Sequence, residues 1–333
     1  MLHQTDKVTF IIFSRDQGEL LKSTLVSILN QTYKNIEVFL IVNDLNNKLF
    51  EELGVYKHKI NFTLNQKNSS RAKILNESLK NATGRYFAVL AAGDVWQPGA
   101  LAQKVDFLEK NKNAFAVCSD FDVFNKTGII KNSFFQFKDF FEDKHAGESF
   151  LIEEAHSYFI NSCHKLFSMM LIRNEVYLFH GPFDERMNGY TDFDLFFKML
   201  SKYKLGCIKK VLVGKFFDAY KISYYLNYNI KERILYLDYL LNDFAIGKRK
   251  YEKELKYQIE KNYFTWITYL IKNDEAVAAR GAAVEYMQKY LVSPGFLWLF
   301  VKSGFSHQVK NIKGRYDYFK MDQLQEDLLK LNY

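Results

Sequence analysis

Apolar and polar positions along the first hundred residues fall into two alternating registers. Val8-Thr9-Phe10-Ile11-Ile12-Phe13 and Ile36-Glu37-Val38-Phe39-Leu40-Ile41-Val42 are nearly continuous β-branched and aromatic runs, the pattern of strands buried on both faces. Ile60–Leu64 and Arg85–Leu90 read the same way. Between them, Leu20, Leu21, Leu25, Ile28 and Leu29, and later Ile74, Leu75, Leu79 and Ala82, recur at helical spacing. Such alternation implies right-handed crossovers and a parallel sheet. Further on, the spacing predicts a helix near 99–110, a strand at Ala114–Asp120, a segment at Leu166–Ile172 leading into Arg173, and a helix from about Asp192 to Tyr203. From about residue 221 the apolar spacing is helical and strand signals fade. The expected fold class is α/β: a Rossmann-like, mostly parallel sheet flanked by helices, with a C-terminal helical region.

Ligands of such sheets sit beyond the carboxyl ends of the strands. Asp44 and Asp94 both fall at those ends, which is the first functional pointer.

Composition narrows the classes. With 333 residues, 48% hydrophobic and 25% charged, the chain is globular, and wholesale disorder is excluded. Cys118, Cys163 and Cys207 form neither a disulfide framework nor a close-spaced metal cluster. His145, His156, His164 and His180 lack metal-ligand spacing. The segment Met1–Asp6 shows no signal-peptide pattern, and no apolar run reaches the roughly 18–20 residues that span a bilayer. The expected location is cytoplasmic.

Charge is uneven. Residues 1–220 carry 28 Lys/Arg against 25 Asp/Glu, while residues 221–333 carry 18 against 13 and hold 14 of the 22 tyrosines. A basic, aromatic tail suits nucleic acid, anionic lipid or an acidic substrate, and equally a solvated helical surface.

Four segments, taken in order, resemble the inverting family 2 glycosyltransferases of the GT-A fold. They are Ser27-Ile28-Leu29-Asn30-Gln31-Thr32-Tyr33-Lys34-Asn35-Ile36-Glu37-Val38; Lys73-Ile74-Leu75-Asn76-Glu77-Ser78-Leu79 with Ala82-Thr83-Gly84-Arg85-Tyr86; Val89-Leu90-Ala91-Ala92-Gly93-Asp94-Val95-Trp96; and Gly181–Glu185 with Thr191-Asp192-Phe193-Asp194-Leu195. The resemblance covers about residues 7–205. It implies a nucleotide-sugar-binding half over 1–98, an acceptor-binding half over 99–220, and a separate helical region over 221–333 for membrane docking or oligomerisation.

The resemblance also implies an activity: transfer of a sugar from a nucleotide-sugar, in first place a UDP-sugar, to a glycan, lipid-linked or protein-glycan acceptor in bacterial surface polysaccharide or glycoconjugate synthesis. The acceptor hydroxyl must lose a proton as it attacks, so a carboxylate serves as base; by resemblance this is Asp192. A first-turn helix carboxylate is the competing structural role. Asp44 falls where the family recognises the nucleobase, and a turn residue is its alternative. Phe13 and Ser14 end the first strand beside the base, and Arg71 and Lys73 are candidates for the diphosphate. Asp94 is the expected contact for Mn²⁺ or Mg²⁺ or for the donor phosphates. The family's Asp-x-Asp pair, however, aligns with Ala91 and Gly93. The competing reading is thus a catalytically degenerate GT-A-like binding or partner subunit, and a nucleotidyltransferase ranks third for want of a glycine-rich loop.

In the tail, Leu291–Val301 is short, apolar and aromatic, and Lys302, Lys310, Lys313, Arg315 and Lys320 follow it. An apolar anchor beside cations lies on an anionic leaflet without crossing it. This predicts peripheral attachment to the inner membrane face, with packing on the enzyme domain or a homo-oligomer interface as the alternative. No nucleic-acid-binding module is recognised.

Overall fold

The computed structural model describes residues 6–14, 18–42, 51, 53–64, 69–132, 147–152, 155–161, 167–186, 191–217, 222–243 and 250–290. Asp44, His164 and the whole segment 291–333 lie outside the described residues. The chain divides into two compact units, residues 1–159 with 164–217, and residues 160–163 with 218–333.

In the first unit the strands are β1 (Val8–Ser14), β2 (Ile36–Val42), β3 (Ile60–Leu64), β4 (Tyr86–Ala91), β5 (Val95–Trp96), β6 (Ala114–Asn125), β7 (Gly128–Lys131), β8 (Ser149–Ile152), β9 (Leu171–Arg173) and β10 (Lys204–Phe216). Between them run helices α1 (Glu19–Leu29), α2 (Arg71–Asn81), α3 (Ala100–Lys110), α4 (Ala155–Asn161, whose last two residues are counted with the second unit), α5 (Asn174–His180) and α6 (Thr191–Met199). Among the described residues these strands form one sheet in the order β3-β2-β1-β4-β9-β6-β10-β5, with β7 added to β6 and β8 to β10. Strands β3, β2, β1 and β4 pair in parallel. Strand β9 is antiparallel to both β4 and β6, and β10 is parallel to β6. The expected mostly parallel α/β sheet is therefore what forms.

Strands β1 and β4 hold the centre because both their faces are covered. Phe10, Ile11, Ile12, Phe87, Ala88 and Leu90 are fully buried, and each large apolar side chain contributes about 1.5–3 kcal/mol by leaving water. At the amino ends of these strands Glu37 acts as a clamp. Its carboxylate accepts from the Thr9 hydroxyl at 2.6 Å, the Thr83 amide at 2.7 Å, the Thr83 hydroxyl at 2.9 Å and the Gly84 amide at 3.1 Å. A Cβ at position 84 would lie 2.3 Å from the Thr9 hydroxyl oxygen, so only glycine lets the turn before β4 close on β1.

One buried cation is part of this core. Lys104 of α3 is fully buried and donates to the Ser119 hydroxyl at 2.8 Å and to the Met169 carbonyl. Burial draws its pKa down to about 7.

The second unit is helical: α7 (Ile222–Asp243), α8 (Glu252–Lys272) and α9 (Ala276–Lys289), with α8 packed on both the others. Tyr236, Tyr251, Tyr263 and Tyr286 are buried there. The Tyr263 hydroxyl donates to Glu285 at 3.0 Å, its ring meets Tyr286 edge-on at 5.3 Å, and Tyr290 donates to Asp238. For these residues the tyrosine-rich composition of the tail is internal packing. The expectation of membrane docking rests on Leu291–Val301 and the cations after it, outside the described residues. Among the described residues no helix is long and apolar enough to cross a membrane.

Candidate functional site

The carboxyl ends of β1 and β4 meet directly. Phe13 pairs in register with Ala91, and the Ala92 amide donates to the Phe13 carbonyl at 2.9 Å. Ser14, buried, pairs with Val42 at the end of β2. Asp44 follows two residues later, beyond the described part of that loop.

Arg71 opens α2, and its guanidinium lies over the Phe13 ring, 4.8 Å from the centroid. The Ser70 hydroxyl caps α2 by accepting from the Lys73 amide at 3.2 Å. Arg71 and Lys73 are both exposed, two positions apart and so about 200° apart around the helix. Arg71 is thus brought to Phe13, and Lys73 faces another way.

A row on α1 holds the turn after β4. The Thr24 hydroxyl accepts from the Gly93 amide at 2.8 Å, and the Ser27 hydroxyl accepts from the Trp96 amide at 3.2 Å. One turn on, the Gln31 amide group donates to the Gln97 carbonyl at 3.0 Å and accepts from the Leu101 amide at 3.1 Å. Thr24 and Ser27, three residues apart, share one face of α1, and Gln31 stands just past the end of that helix. The Gln31-Thr32-Tyr33 signature therefore acts by fixing backbone near the site.

Within that turn Gly93 has φ +105°, and a Cβ there would stand 2.7 Å from Cβ of Phe216. The missing second carboxylate of the Asp-x-Asp pattern is thus excluded by local geometry. Asp94, 1% exposed, is closely held. Its oxygens accept from the Phe216 amide at 3.2 Å, the Ala91 amide at 3.3 Å and the Lys215 ammonium at 3.1 Å. Lys215 also donates to the Ser168 hydroxyl at 3.1 Å. Lys215 and Phe216 were not legible as site residues because the sequence pattern assigned no strand to 204–216, and Thr24 and Ser168 because their roles arise only from contacts across the fold.

The divalent cation implied by the resemblance has no fitting donor set among the described residues. No three His, Cys, Asp or Glu side chains converge there, and Asp94 already has an ammonium and two amides on its oxygens.

Asp192 lies in the first turn of α6, buried. Asp194, two residues on and about 200° around the axis, pairs with Lys198 at 2.6 Å. Burial raises the Asp194 pKa against the opposing pull of Lys198. The two aspartates thus have separate surroundings. The loop leading toward α6 is latched to α2 by Asn76. The Asn76 side chain donates to the Phe183 carbonyl at 3.0 Å and to Glu185 at 3.0 Å, and accepts from the Phe183 amide and the Tyr177 hydroxyl, each at 2.9 Å. Two of the resembling segments are therefore joined by one side chain.

Comparisons with known proteins agree with this architecture. The sequence model of Glycosyl transferase family 2 matches residues 9–178. An uncharacterized glycosyltransferase of Methanocaldococcus jannaschii is 25% identical over 261 residues, covering 75% of this chain and 84% of its own. The Escherichia coli UDP-Glc:alpha-D-GlcNAc-diphosphoundecaprenol beta-1,3-glucosyltransferase WfgD is 27% identical over 124 residues, 37% of this chain and 49% of that one. Among solved structures, the mannosyltransferase PcManGT from Pyrobaculum calidifontis, in complex with GDP-Man and Mn²⁺, superposes with TM-score 0.58 at 16% identity over 98% of this chain and 86% of that one. S. aureus TarS in complex with UDP gives 0.56 at 13% identity, over 94% of each chain; at these identities the likeness is one of fold. The family match spans the ends of β1 and β4 and the held turn that follows β4, and with it the chain belongs to glycosyl transferase family 2 and is a glycosyltransferase.

Proposed function

We propose that the chain transfers a sugar from a UDP-sugar, with inversion, to a glycan or lipid-linked acceptor of surface polysaccharide synthesis. The observation that carries this reading is the meeting of Phe13, Arg71 and the Asp94 turn at the carboxyl ends of β1 and β4. WfgD, whose name specifies a UDP-Glc donor and a diphosphoundecaprenol-linked acceptor, supports the choice of donor and acceptor class.

In this reading Phe13 and Arg71 flank the nucleotide, with Asp44 on the nucleobase. The acceptor hydroxyl gives its proton to the Asp192 carboxylate as its oxygen bonds to the anomeric carbon. The bond from that carbon to the nucleoside diphosphate breaks on the opposite face, which inverts the centre. Asn76 fixes the loop before Asp192 and so acts as a positioning residue. PcManGT was solved with Mn²⁺; here no step is assigned to a metal, because the donor set around Asp94 does not fit one.

The test is a panel of nucleotide-sugars offered with polyprenyl-diphosphate-linked sugar acceptors. UDP-sugar turnover is expected, and Asp192→Asn should lower it by about 10²–10⁴-fold, the usual worth of a general base, with UDP affinity kept. UDP binding without turnover on any acceptor would instead favour a degenerate binding subunit.

A further inference from the structure

We propose that Lys215 supplies the fixed positive charge at the donor diphosphate, so that this site binds nucleoside diphosphate without a divalent metal. The inference rests on the nucleotide-sugar reading above and deepens it.

The geometry is specific. Lys215 stands at the carboxyl end of β10, beside the turn that follows β4. Its ammonium is 3.1 Å from an Asp94 oxygen and 3.1 Å from the Ser168 hydroxyl. The carboxylate side chain is 1% exposed and the lysine side chain 31% exposed. An anion arriving at this end of the sheet meets the ammonium first, with the carboxylate sealed behind it. Asp94 therefore serves as the anchor that holds and orients a cation.

Position 93 supports the same assignment. A second carboxylate there would help to hold a metal, but Gly93 takes φ +105° and Phe216 fills the space of a Cβ. Phe216 adjoins Lys215, and its amide donates to Asp94. The short segment that brings the ammonium to Asp94 also closes the place of the missing aspartate. Electrostatic stabilisation of a leaving diphosphate needs a positive charge held in place before the reaction, and a pre-oriented ammonium satisfies that requirement.

The experiment is calorimetric titration of the full chain, freed of metal with EDTA, with UDP and with uridine. UDP should bind, and added Mn²⁺ should shift its Kd by less than about threefold. A hydrogen bond to a charged group contributes about 1.5–3 kcal/mol, so Lys215→Met should weaken UDP by about 10- to 100-fold. Uridine, which lacks phosphates, should bind parent and variant alike, and Lys215→Arg should restore most of the UDP affinity. The double variant Lys215→Met with Asp94→Asn avoids stranding a buried carboxylate and should show the same selective loss. UDP binding that requires Mn²⁺, or that survives Lys215→Met, overturns the inference while leaving the nucleotide-sugar reading intact. Failure of any nucleoside diphosphate to bind, with or without Mn²⁺, overturns both.

Discussion

Restoring the family's aspartate by Gly93→Asp is expected to damage the fold without creating a metal site. Two costs arise. The residue must adopt φ +105°, a conformation that costs an L residue about 1–3 kcal/mol. Its Cβ must also enter space held by Phe216 Cβ at 2.7 Å. That atom cannot swing aside as a side-chain tip can; β10 itself has to shift, and overpacking of this kind costs about 1–3 kcal/mol. Together the two come to about 2–6 kcal/mol. For a unit of this size each kcal/mol lowers Tm by about 2–4 °C, so a fall of about 10 °C is expected. Thermal unfolding followed by circular dichroism measures it. Gly93→Ala separates geometry from charge and should lose nearly as much. Gly128→Ala supplies the control for backbone strain alone, because Gly128 has φ +135° with nothing within 4 Å of its added Cβ. The difference between the two alanine variants reads the Phe216 overlap directly. If Gly93→Asp unfolds at the parental temperature and is stabilised by Mn²⁺ more than the parent, the turn accepts a second carboxylate and the reasoning is wrong.

Three further predictions follow from other parts of the first unit. Burial alone would raise the Glu37 pKa, but the Thr9 and Thr83 bonds and Lys7 bring it below the ordinary carboxylate value; its stabilisation is complete above about pH 4.3 and lost as pH falls through the folded value. Glu37→Gln should therefore flatten the acid limb of a plot of stability against pH, and an unchanged acid limb would refute the clamp. Lys104, at about 7 when folded and about 10.4 unfolded, makes the unfolded chain bind more protons between those values, so stability should rise with pH there by at most about 1.4 kcal/mol per unit. Lys104→Met should remove that rise in denaturant titrations from pH 7 to 10. Arg71→Ala should weaken UDP binding by several-fold through loss of an exposed cation beside the nucleotide, a contribution of about 1 kcal/mol or less at a solvated site, and calorimetry showing equal affinity would separate Arg71 from the donor.

The sheet's first half was legible because each strand carries its own signal. Val8–Phe13 and Ile36–Val42 are continuous apolar runs, and both are strands buried through their centres. Strand β10 was not legible. Its apolar pattern is broken by Lys209-Lys210, and the structure shows why that break is tolerated: the register against β6 slips between Ile208 and Val211, where Ser119 and Asp120 are consecutive partners. A bulge admits residues that a regular ladder would reject. The predicted helix to Tyr203 ends instead at Met199, and residues 200–203 form the turn into the strand that begins at Lys204. Short strands β5, β8 and β9 also lack a periodicity of their own, because neighbours across the sheet define them.

The same contrast separates what the motifs said from what the site does. Glu37, Gln31 and Asn76 sit inside the resembling segments, and each is a backbone latch, so the signature records how loops are fixed as much as how chemistry is done. Asp94 was legible as an acid at a strand end, but its meaning depends on Lys215, 121 positions away. Read from the sequence, Ala91 and Gly93 are two losses from a metal motif. In the structure Gly93 is required by φ and by Phe216, and the remaining carboxylate is matched by a cation supplied from β10. A site that had simply decayed has no reason to keep a glycine at a glycine-only angle or to seat an ammonium on its last aspartate. The departure from the family pattern is therefore better explained as one coupled arrangement of Gly93, Asp94, Lys215 and Phe216 than as independent erosion of two positions.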